Sequence, residues 1–392
     1  MEALTTSSPM GVGGIIRQYG NQFRQQYNLS PVQQKAFYAI KNCRTPALGG
    51  HADRCDQCGH LRFFYNSCRN RHCPVCQGLK RAKWVDKLAC DLLPVRYFHI
   101  VFTIPSEINS LALINPAIVY DILFKASSET LLTLSKDRKY LNSATGMVAI
   151  LHSWGQNLMY HPHLHTMVPA GGWNEEEQKW HDSRRKFFIP VQVLSALFKG
   201  KFLFYLKKTY TEQKLTFAGS IDHLKSRRNF NDLVALLYQK DWVVYTKKPF
   251  RDSSQIINYL GRYSHRVAIT NSRIKSIEED LVAFSVKDYR DGRKKTIKLQ
   301  SSEFIRRFML HVLPKSFCKI RYYGLFATRN RSKVLARCRQ AMGKVKSVSR
   351  FTGLTWQQQF QLVSGKNIDL CPTCQTGRMA QTLTFKPFWA LA

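Results

Sequence analysis

Every second residue of one short apolar stretch is a histidine: His161-Pro162-His163-Leu164-His165. Alternate side chains of a β-strand point to the same face, so the spacing predicts a strand with three imidazoles on one side. Neutral imidazole is a common metal ligand, and several converging rings favour a metal site over ordinary core histidines. A zinc hydrolase would normally add a carboxylate, whereas Thr166, Met167 and Val168 follow.

The charge of the chain predicts a polyanionic partner. Its 392 residues include 60 Lys and Arg but only 25 Asp and Glu, giving a formal net charge of +35. With 17 Tyr and 7 Trp available for base stacking, nucleic acid, and single strands in particular, is favoured over a membrane. A basic protein with solvated lysine faces is the alternative. The sequence predicts no membrane span, no signal peptide and a cytoplasmic location.

The eleven cysteines favour metal binding over disulfides. Two Cys-x-x-Cys pairs, Cys55/Cys58 and Cys73/Cys76, have the spacing of paired zinc knuckles and predict one structural Zn²⁺ held by four thiolates. Such a closed site has no open position, so its predicted role is in folding. Three further residues are candidates for a second metal site or for structural packing: His51, Cys68 and His72.

The C-terminal part of the sequence is basic and contains a further cysteine pair. From Arg329 to Arg350 there are eight Lys and Arg and no acidic residue, which favours contact with a nucleic-acid backbone. Cys371-Pro372-Thr373-Cys374 resembles half of a zinc ribbon, but the sequence does not reveal its partner ligands. Metal binding and its absence both remain open for this pair.

The pattern of elements predicts an α+β fold. A strand is expected over Arg96–Ile104, a helix over 115–137, strands over Gly146–His152 and the histidine stretch, and a hairpin around Arg290-Asp291-Gly292-Arg293. In the N-terminal helical segment, Ser30 and Pro31 are expected to start a helix. A helix over Ile256–Arg266 would place Tyr259 and Tyr263 one turn apart on one face.

Several motifs in a fixed order carry a resemblance to a known family. His163-Leu164-His165 resembles the HUH motif, and Tyr259-x-x-x-Tyr263 resembles the tyrosine pair of two-tyrosine HUH nucleases. From about residue 15 to 345 the chain resembles rolling-circle transposases of the IS91 type, on these stretches: Gly49-Gly50-His51, Asn70-Arg71-His72-Cys73-Pro74, Trp154-Gly155-Gln156, His161–His165, Tyr259-Leu260-Gly261-Arg262-Tyr263 and Ile320-Arg321-Tyr322-Tyr323-Gly324. A zinc-binding N-terminal domain is typical of the same family.

The resemblance implies four segments. These are an N-terminal helical segment (1–45), a zinc-binding DNA-binding domain (46–92), an HUH two-tyrosine nuclease domain with an antiparallel sheet (93–300) and a basic C-terminal region (301–392).

The resemblance also implies the chemistry. Tyr259 and Tyr263 would attack single-stranded DNA and form 5′-phosphotyrosine links. His163 and His165 would hold Mg²⁺ or Mn²⁺ with Gln156 as third ligand, and His152 and His161 as its competitors. The predicted phosphate-contacting cations are Lys247, Lys248, Arg262 and Arg266.

The implied partners are single-stranded transposon ends and target DNA, together with a host helicase and the replication machinery of a bacterial nucleoid. Two alternatives stay open: a replication initiator or relaxase with the same nicking chemistry, and a zinc-finger DNA-binding protein without catalysis. The zinc module and the lack of a helicase segment in the sequence favour the transposase.

Overall fold

The computed structural model describes residues 10–183, 189–250, 255, 257, 261, 268–287, 292–329 and 331–387. The helices are α1 Val12–Gln26, α2 Pro31–Lys41, α3 Gly78–Asp91, α4 Asn109–Ile114, α5 Pro116–Lys136, α6 Val191–Thr211, α7 Arg227–Gln239, α8 Ser301–Met309, α9 Arg331–Ala341 and α10 Trp356–Ser364. The strands are β1 Gly50–Cys55, β2 Leu61–Tyr65, β3 Tyr97–Thr103, β4 Gly146–Trp154, β5 Tyr160–Pro169, β6 Gly171–Asn174, β7 Lys179–Asp182, β8 Val244–Phe250, β9 Ile274–Glu278, β10 Leu281–Lys287, β11 Lys294–Gln300, β12 Ile320–Gly324 and β13 Met379–Phe385. The predicted α+β class is confirmed.

A five-stranded antiparallel sheet forms the centre of the fold, in the order β12-β4-β5-β3-β8. One face packs against α5 and α6 through Phe102, Leu164 and Phe198, among other buried residues. The opposite face packs against α3 and α9, with Ile150 and Met167 in its core. Because both faces are covered, β4 is buried along almost its whole length, and apolar residues occupy both sides of the strand.

The N-terminal helices share a core with the sheet β11-β10-β9 and with α8. Ile16 of α1 and Phe37 of α2 belong to the same buried cluster as Phe304 of α8. The start of α2 is as predicted: Ser30 caps it in a reciprocal capping box with Gln33, and Pro31 fills the first helical position. The N-terminal segment is therefore packed on a later part of the chain.

A third sheet joins the two ends of the chain, in the order β13-β1-β2. β13 pairs with β1 in antiparallel register, from Gly50 opposite Phe385 to Cys55 opposite Met379. The sequence pattern did not predict this pairing, because nothing local to either strand records a partner more than three hundred residues away. It places the Cys371/Cys374 pair beside the N-terminal hairpin.

Within the part of the chain that the structure describes, no helix combines the length and the apolar character needed to cross a membrane.

Candidate metal site and cysteine clusters

Three histidines converge in the middle of the central sheet. His163 and His165 lie two residues apart on β5, and His152 on β4 is directly opposite His163 in the register. One ring nitrogen from each lies within 4.8 Å of the other two. The Nε2 atoms of His163 and His165 are 3.1 Å apart, close to the separation of about 3 Å for two adjacent ligands at about 2.1 Å from one octahedral ion. The three side chains could therefore bind one divalent cation.

The other ring nitrogens of His163 and His165 are oriented by neighbouring groups. His163 Nδ1 donates to the carbonyl oxygen of His161 at 2.6 Å, which leaves Nε2 as the lone-pair nitrogen. His165 Nδ1 lies 2.8 Å from Nε2 of His99, a buried residue on β3. When His165 donates this bond, its Nε2 also becomes the acceptor nitrogen. Such outer hydrogen bonds fix the tautomer and orientation that a metal-ligating imidazole needs.

Burial keeps these imidazoles neutral near pH 7. It lowers the pKa of His163 to about 4 and that of His165 well below its ordinary value. Burial is also the main reason that the pKa of His99 falls to about 3, with the charge of Lys247 as the next cause. A neutral ring offers its lone pair to a cation without first losing a proton. The donor set thus fits a metal.

The structure places one of the other predicted residues near the histidines and does not decide the role of Gln156. Lys247 on β8 is opposite His99 in the register, so its charge lies close to the histidines. Gln156 lies in the turn between β4 and β5, where its backbone carbonyl accepts a hydrogen bond from Arg273; its role as a ligand stays a prediction. His161 is exposed and lies outside the three-histidine cluster.

The predicted nucleophiles Tyr259 and Tyr263, and the predicted cations Arg262 and Arg266, lie outside the described residues, as does the side chain of Lys248. Two neighbours in sequence are described. Ile257 is buried in the same cluster as Tyr97 and Met167, on the histidine-bearing side of the central sheet. A Cβ on Gly261 would lie 2.7 Å from Cγ2 of Val85 on α3, so a side chain there would displace its neighbour.

The prediction of one zinc bound by Cys55, Cys58, Cys73 and Cys76 is wrong in its grouping. Eight of the eleven described cysteines form two separate clusters, Cys43/Cys68/Cys73/Cys76 and Cys55/Cys58/Cys371/Cys374. In the first, sulfur atoms lie 3.3 Å apart for Cys43 and Cys76, and 3.6 Å apart for Cys68 and Cys76. Sulfur contacts of this length are too long for disulfides and are typical of thiolates around one ion.

The two histidines among the candidates for a second metal site, His51 and His72, make ring contacts outside the cysteine clusters. His72 is buried, with Nε2 accepting from the backbone N–H of Leu313 at 3.1 Å and Nδ1 3.1 Å from Asn70 Oδ1. This arrangement favours structural packing for His72. His51 stacks on Phe64 and lies outside the cysteine clusters, whereas Cys68 belongs to the first of them.

Sequence reasoning missed Cys43 and His99. Cys43 is an isolated cysteine at the end of α2, and its place in the first cluster follows from the packing of α2 rather than from any knuckle spacing. His99 was a single histidine in a strand that was correctly predicted. Only the pairing of β3 with β5 shows that it contacts His165.

Comparison with known proteins identifies the class. A family model described as "Putative transposase" matches residues 146–333, which include β4 and β5. A second, described as "Transposase zinc-binding domain", matches residues 15–104, which include the first cysteine cluster. Fold, cysteine clusters and models together define a DNA transposase with an N-terminal zinc-binding domain.

Two curated relatives identify the family. The chain is 44% identical to "Putative transposase y4qJ" of Sinorhizobium fredii over 372 residues, 94% of each chain. It is 25% identical to "Transposase for insertion sequence element IS801" of Pseudomonas savastanoi pv. phaseolicola, over 81% of this chain and 76% of that protein. No solved structure matches the chain. The chain belongs to the IS91 family of transposases, as the resemblance had indicated, and the structural zinc predicted for it is supported by this domain.

Proposed function

We propose that this transposase cuts and rejoins single-stranded DNA by the HUH two-tyrosine mechanism during rolling-circle transposition. The observation that carries the proposal is the cluster of His152, His163 and His165 at the centre of an antiparallel sheet. An IS91-type transposase must break phosphodiester bonds, and this cluster is suited to hold the Mg²⁺ or Mn²⁺ that such chemistry uses. When bound, the ion would withdraw electron density from the scissile phosphate as a Lewis acid.

The proposed nucleophiles are Tyr259 and Tyr263. The phenolic oxygen of one attacks phosphorus, forms a 5′-phosphotyrosine bond and breaks the bond to the 3′ oxygen, which takes up a proton and leaves as a 3′-hydroxyl. The reverse attack by another 3′-hydroxyl rejoins the strand and regenerates the tyrosine. Two tyrosines allow two cleavages in sequence. The burial of Ile257 against the histidine-bearing face supports a position for this segment near the metal site.

The remaining groups would bind the DNA backbone. Lys247, beside His99 on the neighbouring strand, is directed by its register to the edge of the histidine cluster. We propose that Lys248, Arg262 and Arg266 also contact the DNA backbone, where each contact would neutralise one phosphate. Because tyrosine attack separates no base pairs, a host helicase and the replication machinery would supply the single strand.

The double substitution Tyr259→Phe plus Tyr263→Phe is expected to eliminate a covalent protein–DNA adduct. Phenylalanine keeps the aromatic ring but lacks the attacking oxygen. The measurement is gel electrophoresis under denaturing conditions, after incubating the full chain and Mn²⁺ with single-stranded DNA from a transposon end labelled on the 3′ side of the cleavage site. Tyr238→Phe on α7 removes an exposed hydroxyl elsewhere and should leave the adduct at its normal level. An adduct that persists in the double variant would overturn the tyrosine assignment.

Substituting His99 is expected to weaken metal binding without removing a ligand. His99→Phe leaves His165 Nδ1 without its 2.8 Å partner, and loss of such a partner typically lowers metal affinity about 10–100-fold. Calorimetric titration of the full chain with Mn²⁺ measures the change. His99→Gln restores an acceptor oxygen and should recover part of the affinity. Equal affinity in the phenylalanine variant and the unaltered protein would show that His99 does not orient a ligand.

A further inference from the structure

The second cysteine cluster is formed by the two ends of the chain. Cys55 ends β1 and Cys58 follows it, whereas Cys371 and Cys374 precede β13, and the antiparallel pairing of β1 with β13 brings the two pairs together. The family models end before the C-terminal pair, at residues 104 and 333. The metal-ligand set of Cys55 and Cys58 is therefore completed by a part of the chain outside both models.

The two cysteine pairs have the same local backbone geometry. The carbonyl oxygen of Cys55 accepts from Gly59 N at 3.2 Å, and that of Cys371 accepts from Gln375 N at 3.1 Å. The residue after each pair has a positive φ, 70° at Gly59 and 58° at Gln375. Backbone N–H groups also approach the first sulfur of each pair, with Gln57 N 3.4 Å from Cys55 Sγ and Thr373 N 3.4 Å from Cys371 Sγ. N–H groups directed at sulfur stabilise a thiolate, the form in which cysteine binds metal.

The sulfur separations match a tetrahedral ion. Cys55 Sγ lies 3.7 Å from Cys374 Sγ, and Cys58 Sγ lies 3.7 Å from Cys371 Sγ. Four thiolates at about 2.3 Å from Zn²⁺ lie about 3.8 Å from one another. A disulfide would need sulfurs about 2.05 Å apart. Both short contacts connect an N-terminal cysteine with a C-terminal one, so neither end supplies the site alone.

The backbone around the cluster allows the C-terminal loop to lie close to the β1–β2 hairpin. A Cβ on Gly377 would lie 2.4 Å from Cys55 Sγ, so the glycine allows the C-terminal loop to pass directly over the sulfur. Arg378 N donates to Asp56 Oδ1 at 2.8 Å, and Asp56 N donates to the carbonyl oxygen of Arg378 at 3.1 Å. Arg62 on β2 adds a hydrogen bond to the carbonyl oxygen of Ile368 at 2.6 Å.

We propose that Cys55, Cys58, Cys371 and Cys374 bind a second structural Zn²⁺, which fastens the C-terminal strand β13 to the N-terminal hairpin β1–β2. The zinc-binding region is then a composite of both ends of the chain. It can be completed only after Cys371 and Cys374 have been synthesised, and removal of this pair leaves half a site on the β1–β2 hairpin. The proposal is independent of the nuclease chemistry, since neither the histidine cluster nor the tyrosines take part.

Metal content of the purified full chain tests the proposal. Elemental analysis by mass spectrometry should find about two zinc ions per chain. The double variant Cys371→Ser plus Cys374→Ser should contain about one, as should Cys55→Ser plus Cys58→Ser. Cys318→Ser alters an exposed cysteine outside both clusters and should retain both ions. A single ion in the unaltered chain, or full zinc content in the C-terminal double variant, would overturn the second site.

Alkylation of the unaltered chain provides a test that requires no variant to fold. Cys58 and Cys318 are both exposed, so iodoacetamide can reach both thiols, and Cys318 serves as the reference. A chelator that removes zinc should change the alkylation rate of Cys58 and leave that of Cys318 unaltered. Peptide mass spectrometry identifies the modified residue. An alkylation rate at Cys58 that chelation does not change, or a Cys55–Cys374 or Cys58–Cys371 disulfide in the non-reduced digest, would contradict the proposal.

Discussion

Alanine at both His163 and His165 should abolish DNA cleavage, with a loss of at least about 10³-fold in the rate of adduct formation. Lewis-acid stabilisation of a phosphoryl transition state is worth several kcal/mol, and each 1.36 kcal/mol corresponds to a factor of ten. The two residues supply adjacent ligand nitrogens 3.1 Å apart, so the double variant leaves at most His152 of the cluster. Single-turnover cleavage of a labelled strand, with saturating Mn²⁺, measures the loss.

A matched control separates metal loss from nonspecific damage. His223→Ala removes an exposed imidazole from the short helical turn at Gly219–Lys225 and should cleave at the normal rate. Circular dichroism should show the same helix and strand content in both variants. Normal cleavage by a folded double-alanine variant would exclude a role for the histidine cluster in the reaction.

Calorimetric titration with Mn²⁺ identifies the third ligand. His152→Ala should reduce Mn²⁺ affinity sharply, because its ring nitrogen lies within 4.8 Å of those of His163 and His165. Gln156→Ala should have the smaller effect if the three imidazoles are the ligand set. The reverse order would establish Gln156 as the third ligand, as the motif resemblance implied. Testing both substitutions therefore distinguishes the geometric and the motif-based assignments.

The sequence predicted the elements of the site because its local patterns are strong. Alternating histidines in an apolar run identified β5, and the β-branched and aromatic stretch ending before Pro105 identified β3. The order of strands was not predictable in the same way. That His152 is opposite His163, and that His99 contacts His165, depends on which strands pair and in what register. Those pairings are set by packing on both faces of the sheet, and the residues that pack there are distant in sequence from the histidines.

The grouping of the cysteines failed for a related physical reason. Spacing identifies a knuckle, since Cys-x-x-Cys places two sulfurs on one tight turn, but it does not say which two knuckles or single cysteines share an ion. Here Cys73 and Cys76 are completed by two isolated cysteines, Cys43 and Cys68. The other pair is completed by Cys371 and Cys374, from the opposite end of the chain. Proximity in sequence was therefore a poor guide to shared coordination.

The first cysteine cluster should contribute far more to stability than the second. Cys43 and Cys73 are buried in the core that joins α1, α2 and α8, alongside Phe37 and Phe304. Cys43→Ser plus Cys73→Ser is therefore expected to release zinc and unfold this core. Structural zinc contributes about 10–16 kcal/mol in small zinc domains, comparable with the 5–15 kcal/mol that stabilises a typical fold. In the second cluster Cys58 is exposed, and loss of this cluster should release mainly strand β13.

Hydrogen exchange measured by mass spectrometry distinguishes these outcomes. The Cys43/Cys73 variant should lose protection throughout α1, α2 and α8, whereas the Cys371/Cys374 variant should lose it mainly in β1, β2 and β13. Cys90→Ser is the control, because Cys90 is a buried cysteine on α3 outside both clusters. Protection of α1 and α2 that survives in the Cys43/Cys73 variant would show that apolar packing alone maintains this core. Loss confined to the predicted elements in each variant would show that the two clusters stabilise different parts of the chain. The first cluster would hold α1 and α2 against α8, and the second would hold β13 against the β1–β2 hairpin.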